Sequence, residues 1–549
     1  MRNFIVAIAG LSLVACQATE EESTSPDTAG GVVEGISAET LLQEIRVLAS
    51  DEFEGRLPGT PGEEKTIAYL TKAFSALGLV PGNPDGTWVQ KVPLVGMTPA
   101  PGDTLVATKG SASQTFVPEK DYVAWTKRVV ESIDLDGEFI FVGYGAVAPE
   151  YDWDDFKNVD VKGKILLFLV NDPPRDDAFG GKAMTYYGRW TYKHEIAAAR
   201  AAAGSFVIHE TGPAGYPWEV VGGSPHSESF DLVSPDKNMG RAVVEGWMQR
   251  ATAEAIFKMA GLDFEAEKKK AAERTFQPIS LGVRGRTALK NTLRTVDSQN
   301  FVAKLEGREA ADEVIIYCAH WDHLGRDPSM AGDQIFNGAA DNASGTAGLI
   351  ELARAFTQAP QRPRRSVLFL AVTAEEQGLL GSRYYGENPL YPPGTTVAAI
   401  NMDVLNQWGR TRDLTIVGMG QSELDTIAGE IAGQTGRALN PDPEPEKGFY
   451  YRSDHFSFAK AGIPALYADP GIEYLDKPEG YGLKKRDEYT ANDYHKPSDE
   501  VKPDWDLSGA SEDLAFLYRV GWRLASGGEW PEWSATSEFR ANREKQQQR

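Results

Sequence analysis

Five short stretches carry residues whose types and spacing suit metal chemistry. "AHWDHLG" brings His320, Asp322 and His323 together after an apolar run, and "GAADNASG" places Asp341 just ahead of a helix-forming segment. "FLAVTAEE" ends on Glu375 and Glu376, "AAINMDV" carries Asp403, and "ANDYHKPSDE" carries Tyr494 and His495. Singly, each has an ordinary reading. A lone histidine after a strand is a hydrogen-bonder, Asp341 is a helix N-terminal acid, and the two glutamates are a solvated helix start. Asp403 resists that treatment, because a carboxylate inside "VAAINMDVL" is costly to bury unless paired or metal-bound. Together, histidine nitrogens and carboxylate oxygens at successive strand ends suit a divalent cation, and zinc accepts both donor types at catalytic positions. Glu375 and Glu376 are adjacent, so in an extended chain they point apart and need not share a task.

The elements that must hold these residues read as an alternation. Strand-like runs at 314–319, 367–373, 398–404, 414–417 and 465–467 are separated by helical stretches such as "SGTAGLIELARAF". That pattern predicts an α/β fold with a mainly parallel central sheet and helices on both faces. In such sheets ligands bind at the carboxyl ends of the strands, where the candidate residues lie. Ahead of this region, Leu41, Leu42, Ile45 and Leu48 share one helical face. Thr60, Pro61 and Glu63 predict a capped second helix, with a capping box, that Gly78 stops. Cys318, inside "VIIYCAH", reads as a buried thiol.

At 549 residues the chain exceeds one typical domain, and its net charge of −23 argues against nucleic-acid binding. From about Asp136 to Pro278 the texture changes to short strands between Gly, Pro and Asp turns. The expected division is a lipoprotein-type signal peptide at 1–15, a flexible tether at 16–37, and a first part of the main domain at 38–135. A β-rich insertion follows at 136–278, a second part of the main domain at 279–530, and a polar tail at 531–549. Arg2 and the 11 apolar residues from Phe4 to Val14 are too short to span a bilayer and suit an export signal. "LVAC" ends that run and resembles a lipobox, which implies a lipid anchor at Cys16. Gln17 after the cysteine favours the outer membrane, so the chain is expected to be exported and to face the periplasm or exterior.

The order His-x-Asp, Asp-Asn-Ala-Ser-Gly, Glu-Glu, Met-Asp and Tyr-His, with "GRLPGTPGEE" before it and "RSDHFSFAKAGIPAL" within it, resembles the co-catalytic dizinc exopeptidases. That family includes bacterial aminopeptidases and glutamate carboxypeptidase. Residues 136–278 resemble the protease-associated domain inserted in some members. The resemblance implies the zinc exopeptidase fold and two zinc ions per chain, with peptides as substrates. It implies that His320 and Asp403 bind one zinc, that Glu376 and His495 bind the other, and that Asp341 bridges them. Glu375 would be the general base, Asp322 would orient His320, and Tyr494 would steady the oxyanion. Ala340 stands where many members carry an acid, at a position that is not a ligand.

Several residues stay open. His323 reads equally as an outer support or a surface hydrogen-bonder. Asp454 and His455 read first as a helix cap and a structural histidine, and second as cleft lining. Arg452 reads first as a solvated cation and second as a partner for a substrate carboxylate. His194, His209 and His226 fall in the insertion and are not expected as ligands. Aminopeptidase activity is the first expectation and carboxypeptidase activity the alternative. A non-catalytic binding protein would be expected to have lost ligands, and a single-zinc glutaminyl-cyclase-type acyltransferase fits neither the insertion nor the five-ligand set.

Overall fold

The computed structural model describes residues 36–100, 104–175, 177–179, 181–222, 228–535 and 537–547. The expected signal peptide, Cys16 and His226 lie outside the described residues. Among the described residues no helix is long and apolar enough to cross a membrane.

The main sheet has a parallel centre. Arg365–Val372 pairs in parallel with Ala310–His320, which pairs in parallel with Thr396–Asn401, which pairs in parallel with Ala465–Pro470. Antiparallel strands flank this centre. The second half of the long strand Ile279–Leu305 lies against Arg365–Val372, and Asp413–Ile416 lies against Ala465–Pro470. Every residue of Arg365–Val372 is buried, as expected for a strand covered on both faces. Alternate side chains of its neighbour fill two cores. Ile315, Tyr317 and Ala319 meet Leu349, Phe356 and Trp522, while Val314, Ile316 and Cys318 meet Tyr385 and Phe458. Cys318 is the buried thiol expected.

A second sheet starts earlier than the expected edge at 136. Leu105–Lys109 and Ser132–Phe141 both pair with the first half of Ile279–Leu305, and Tyr122–Trp125 pairs with Val244–Gln249. The parallel run Ser132–Phe141, Ile165–Leu169, Gly204–His209 and Val244–Gln249 completes it over a core of Phe139, Phe141, Leu167, Phe206 and Phe257. The strand Ile279–Leu305 therefore belongs to both sheets, and no loop separates them there. A sequence boundary drawn on texture misses this, because the strand's residues alternate in the same way in both halves.

Two local expectations change. The helix Ala38–Leu48 buries Leu41, Ile45 and Leu48 as expected, and Pro61–Ala76 is helical with Gly78 at φ +81° beyond its end. However, Thr60 makes no side-chain cap, and Glu63 turns inward instead, accepting from Gly59 N (2.5 Å) and the Ser298 hydroxyl. Burial pushes the Glu63 carboxyl up to about 7 against those hydrogen bonds. The polar tail also docks. Trp533, Phe539 and Arg543 are buried, and Arg543 Nη1 donates to the carbonyls of Pro393 (2.7 Å) and Thr396 (3.0 Å).

Candidate metal centre

The parallel strands end on one edge of the sheet, and the residues that follow them converge there. His320 is the last residue of Ala310–His320. Glu375 and Glu376 follow Arg365–Val372 by a short turn, and Asp403 follows Thr396–Asn401. Asp341 sits just before the helix Ser344–Gln358 and is joined to Asn342 by a cis peptide. Asn342 ties this turn to the neighbouring strand end, donating to Met402 O (3.0 Å) and accepting from Gly345 N (2.8 Å). His495 arrives from a distant loop and is the most exposed of the set, its side chain 31 % accessible.

The geometry separates into two halves that share Asp341. His320 Nε2 lies 3.2 Å from Asp341 Oδ1 and 3.3 Å from Asp403 Oδ1. His495 Nε2 lies 3.4 Å from Asp341 Oδ2 and 2.9 Å from Glu376 Oε2. Ligands about 2.0–2.2 Å from a tetrahedral zinc are about 3.3–3.6 Å apart; two of the four separations fall in that range, the His320–Asp341 one lies just below it, and the His495–Glu376 one is tighter. His495 Nε2 makes no aligned hydrogen bond although it faces two carboxylates, which leaves its lone pair for a cation. The triad His320, Asp341 and Asp403 is one grouping fit to hold a metal ion. Asp322, Asp341, Glu375, Glu376 and Asp403 crowd the same place, and a cation among them would relieve that crowding.

The two glutamates diverge. Glu376 Oε1 takes His323 Nδ1 at 2.5 Å while its other oxygen faces His495. Burial opposes ionisation of Glu376, yet His495 and His323 beside it hold its carboxyl at about 2. Glu375 lies nearer His320, at 3.9 Å, and burial pushes its carboxyl well above the usual range. Burial also works against ionisation of Asp341, and the imidazoles of His320 and His495 beside it overcome that, holding the carboxyl well below the usual range.

Asp322 has a task beside the one expected. Its carboxylate accepts Glu375 N (3.0 Å) and Glu376 N (3.4 Å), so it fixes the turn that carries both glutamates. The closest partner of His320 Nδ1 is the Asp322 backbone carbonyl at 3.2 Å, with the carboxylate at 3.7 Å. Tyr494 stacks on His495, ring centroids 3.8 Å apart.

The open residues resolve. His323 is buried against Glu376 and is not a surface hydrogen-bonder. Asp454 is fully buried and makes no cap bond to the helix His455–Lys460, and burial raises its carboxyl to about 7. His455 packs between the Tyr450 and Tyr467 rings, each 4.9 Å away, and is the structural histidine expected. Arg452 is half-buried over Phe449 and Tyr216 and is not a solvated cation. His194 bonds Ser205 and His209 bonds the Tyr216 carbonyl, and neither joins the cluster.

Three supporting residues escape a motif-based reading. Arg56 is 1 % exposed and donates to the carbonyls of Trp321 (2.8 Å), Leu48 (2.7 Å), Asn337 (2.7 Å) and Gly338 (2.9 Å). It thereby joins the loop after His320 to the loop before Asp341. Asp499 accepts Ala340 N (3.0 Å) and Asp341 N (3.1 Å). Ser453 donates to Asp403 Oδ2 at 2.7 Å. Their only sequence signal is position within "GRLPGTPGEE", "KPSDE" and "RSDHF", where nothing distinguishes them from turn residues.

Comparison with known proteins bears on the same region. A probable zinc metalloprotease of Pyrenophora tritici-repentis (strain Pt-1C-BFP) is 35 % identical over 111 residues, covering 20 % of this chain and 25 % of that protein. Aminopeptidase NAALADL1 of Mus musculus is 33 % identical over 124 residues, covering 22 % of this chain and 15 % of that protein. The chain thus spans a quarter or less of the length of these two curated relatives. Among solved structures, the aminopeptidase from Aneurinibacillus sp. strain AM-1 shares the fold at a TM-score of 0.52 and 18 % identity, covering 91 % of this chain and 96 % of that one. The model of peptidase family M28 matches residues 300–518, which hold every one of the candidate ligands. Over that segment, the chain is similar to peptidase family M28.

Proposed function

We propose that the chain is a zinc exopeptidase that removes residues from the amino end of peptides. One observation carries the reading: Asp341 presents Oδ1 to His320 at 3.2 Å and Oδ2 to His495 at 3.4 Å. A carboxylate shared in this way suits two cations, one held with His320 and Asp403 and the other with Glu376 and His495. Zinc bound there would polarise the scissile carbonyl and bring the pKa of a water toward ~7.

The side chains supply the rest. Glu375 is the residue suited to take the proton from the attacking water and deliver it to the leaving amine, because its burial favours the protonated form. Asp322 holds Glu375 and Glu376 at a fixed separation through their backbone N–H groups. Tyr494 stands beside His495, which suits a hydroxyl that steadies developing negative charge. The second sheet is read as a protease-associated module, and the N-terminal segment as an export signal with a lipid anchor at Cys16 in the outer membrane.

The test combines metal analysis with hydrolysis. Purified chain should bind close to two zinc ions and cleave leucine anilides, and a chelator should abolish the activity. Glu375→Gln should keep its zinc and lose roughly 10²- to 10⁴-fold in kcat. Cleavage of N-blocked dipeptides with no cleavage of anilides would replace the aminopeptidase reading with the carboxypeptidase one. A zinc-loaded Glu375→Gln variant of full activity would remove Glu375 as base.

A further inference from the structure

Glu63 is a carboxylate only 2 % exposed, in the first turn of Pro61–Ala76. Among the described residues it forms no ion pair. Burying such a group without a counter-charge is costly, and its hydrogen bonds show what it holds. The Ser298 hydroxyl donates to Glu63 Oε2 at 3.0 Å and stands 2.6 Å from the Thr373 hydroxyl. Ser298 and Thr373 are both fully buried. Thr373 directly follows Arg365–Val372, and Glu375 comes two residues later. The contacts of Glu63 therefore lead to the turn that carries the proposed base.

That turn leaves the sheet where the sheet stops holding it. The ladder between Ile279–Leu305 and Arg365–Val372 ends at Phe301 and Ala371, and side chains take over beyond it. Asn300 Oδ1 accepts Thr373 N at 3.0 Å, and Asn300 Nδ2 donates to Gly381 O at 2.9 Å. Gly381 N donates to Thr373 O at 2.9 Å. Ala374 then takes φ +52°, a left-handed conformation that an alanine keeps only where its surroundings impose it. Asp322 secures the far side of the bend through Glu375 N and Glu376 N. On the near side, among the described residues, the Thr373 hydroxyl bonds Ser298 alone.

A hydroxyl has one proton to give. Once Glu63 is ionised, above about pH 7, it only accepts, so Ser298 donates to Glu63 and accepts from Thr373. Bonds to a charged acceptor are the stronger kind, and the carboxylate thereby fixes both hydroxyls behind it. We propose that Glu63 is a positioning residue that acts through Ser298 and Thr373 to set where Glu375 and Glu376 stand. This rests on the peptidase reading and adds a residue to its machinery. It also gives "GRLPGTPGEE" a task. Arg56, seven residues earlier, ties the loop after His320 to the loop before Asp341. Gly62 lets the two anchors pack together, because a side chain there would collide with the Phe53 carbonyl. One stretch thus reaches three of the segments that carry the site.

The test uses the full chain at about pH 8, where Glu63 is ionised, loaded with zinc for turnover of a leucine anilide and with cobalt(II) for absorption spectra. Thr373→Val keeps the side-chain shape and removes the hydroxyl. It should retain the parent's metal content and lose roughly 10- to 100-fold in kcat with KM little changed, because a misplaced base slows the chemical step. Thr373→Ser restores the hydroxyl and should recover most of that loss. Glu63→Leu should behave like Thr373→Val, and Glu63→Gln, which can still bond Ser298, should stay close to the parent. Ser298→Ala combined with Thr373→Val should cost no more than either alone, since both break one chain. If Glu63→Leu does not fold, Thr373→Val and Ser298→Ala decide. Parental kcat in Thr373→Val, or a loss that only follows lost metal or lost folded chain, would overturn the proposal. If the zinc-loaded parent cleaves no peptide, the peptidase reading fails by itself, and the cobalt band decides. A band shifted in Thr373→Val and restored in Thr373→Ser upholds the positioning, because Glu376 lies on the same turn, and an unmoved band ends it.

Discussion

The difference between Glu375 and Glu376 is electrostatic before it is geometric. Glu376 sits between two imidazoles, which stabilise its charge, whereas burial, with Asp403, Glu376 and Asp454 adding to it against the pull of His320, holds Glu375 toward its protonated form. A ligand must be ionised and a proton carrier must be able to hold a proton, so the surroundings divide the pair into those two roles. His323 enters the account through the same pair. Its Nδ1 fixes one Glu376 oxygen and leaves the other for His495. Partners of this kind typically tune metal affinity 10- to 100-fold. His323→Ala should therefore weaken zinc binding by roughly that factor, measured by competition with a chromogenic chelator. Unchanged affinity would reduce His323 to a packing residue. Three of the proposed ligands, His320, Glu376 and Asp403, were legible in the sequence because each follows a recognisable strand. His323 was not, because burial against a glutamate 53 residues away leaves no local pattern.

At the scale of elements, the carboxyl ends of parallel strands bring His320, Glu375, Glu376 and Asp403 to one edge, and hydrophobic alternation was enough to anticipate this. What alternation does not carry is how the loops beyond the strands are held. Arg56 does this from the segment Asp51–Arg56, reaching carbonyls on loops more than 260 residues away in sequence. The same limit explains Glu63, whose capping-box spacing was plain while its inward partner Ser298 was not. It also explains the tail, whose polar composition hid the anchors Trp533, Phe539 and Arg543. Removing Arg56 would strand four buried carbonyls. Arg56→Met should cost more than about 3 kcal/mol in denaturant unfolding. Arg56→Lys should recover little, since an ammonium cannot reach four carbonyls in one plane. A lysine variant as stable as the parent would show that charge alone holds these loops.

For the molecule as a whole, the strand Ile279–Leu305 makes the two sheets one mechanical piece, and each sheet carries its own handle on stability. In the main sheet the handle is zinc. The proposed ligands come from five segments, from His320 to His495, and meet only in the folded chain, so zinc at 100 times its Kd should add about 2.7 kcal/mol. In the second sheet the handle is protons on His194, which is buried between the Trp125 and Trp190 rings and bonded to Ser205. Burial lowers its pKa to about 4, against the opposing pull of Glu245 and with Arg241 and Lys127 adding to the shift. The unfolded chain, with an ordinary histidine pKa near 6.5, binds the proton first. Stability from this group is therefore complete above about pH 6.5 and is lost as the pH falls to about 4, by about 3 kcal/mol. His194→Gln should remove that loss and leave the zinc response intact. Because one strand serves both sheets, calorimetry on the parent chain should show zinc and acid moving a single transition in opposite directions. Two transitions, one moved by zinc and the other by acid, would mean that the halves of Ile279–Leu305 come apart independently.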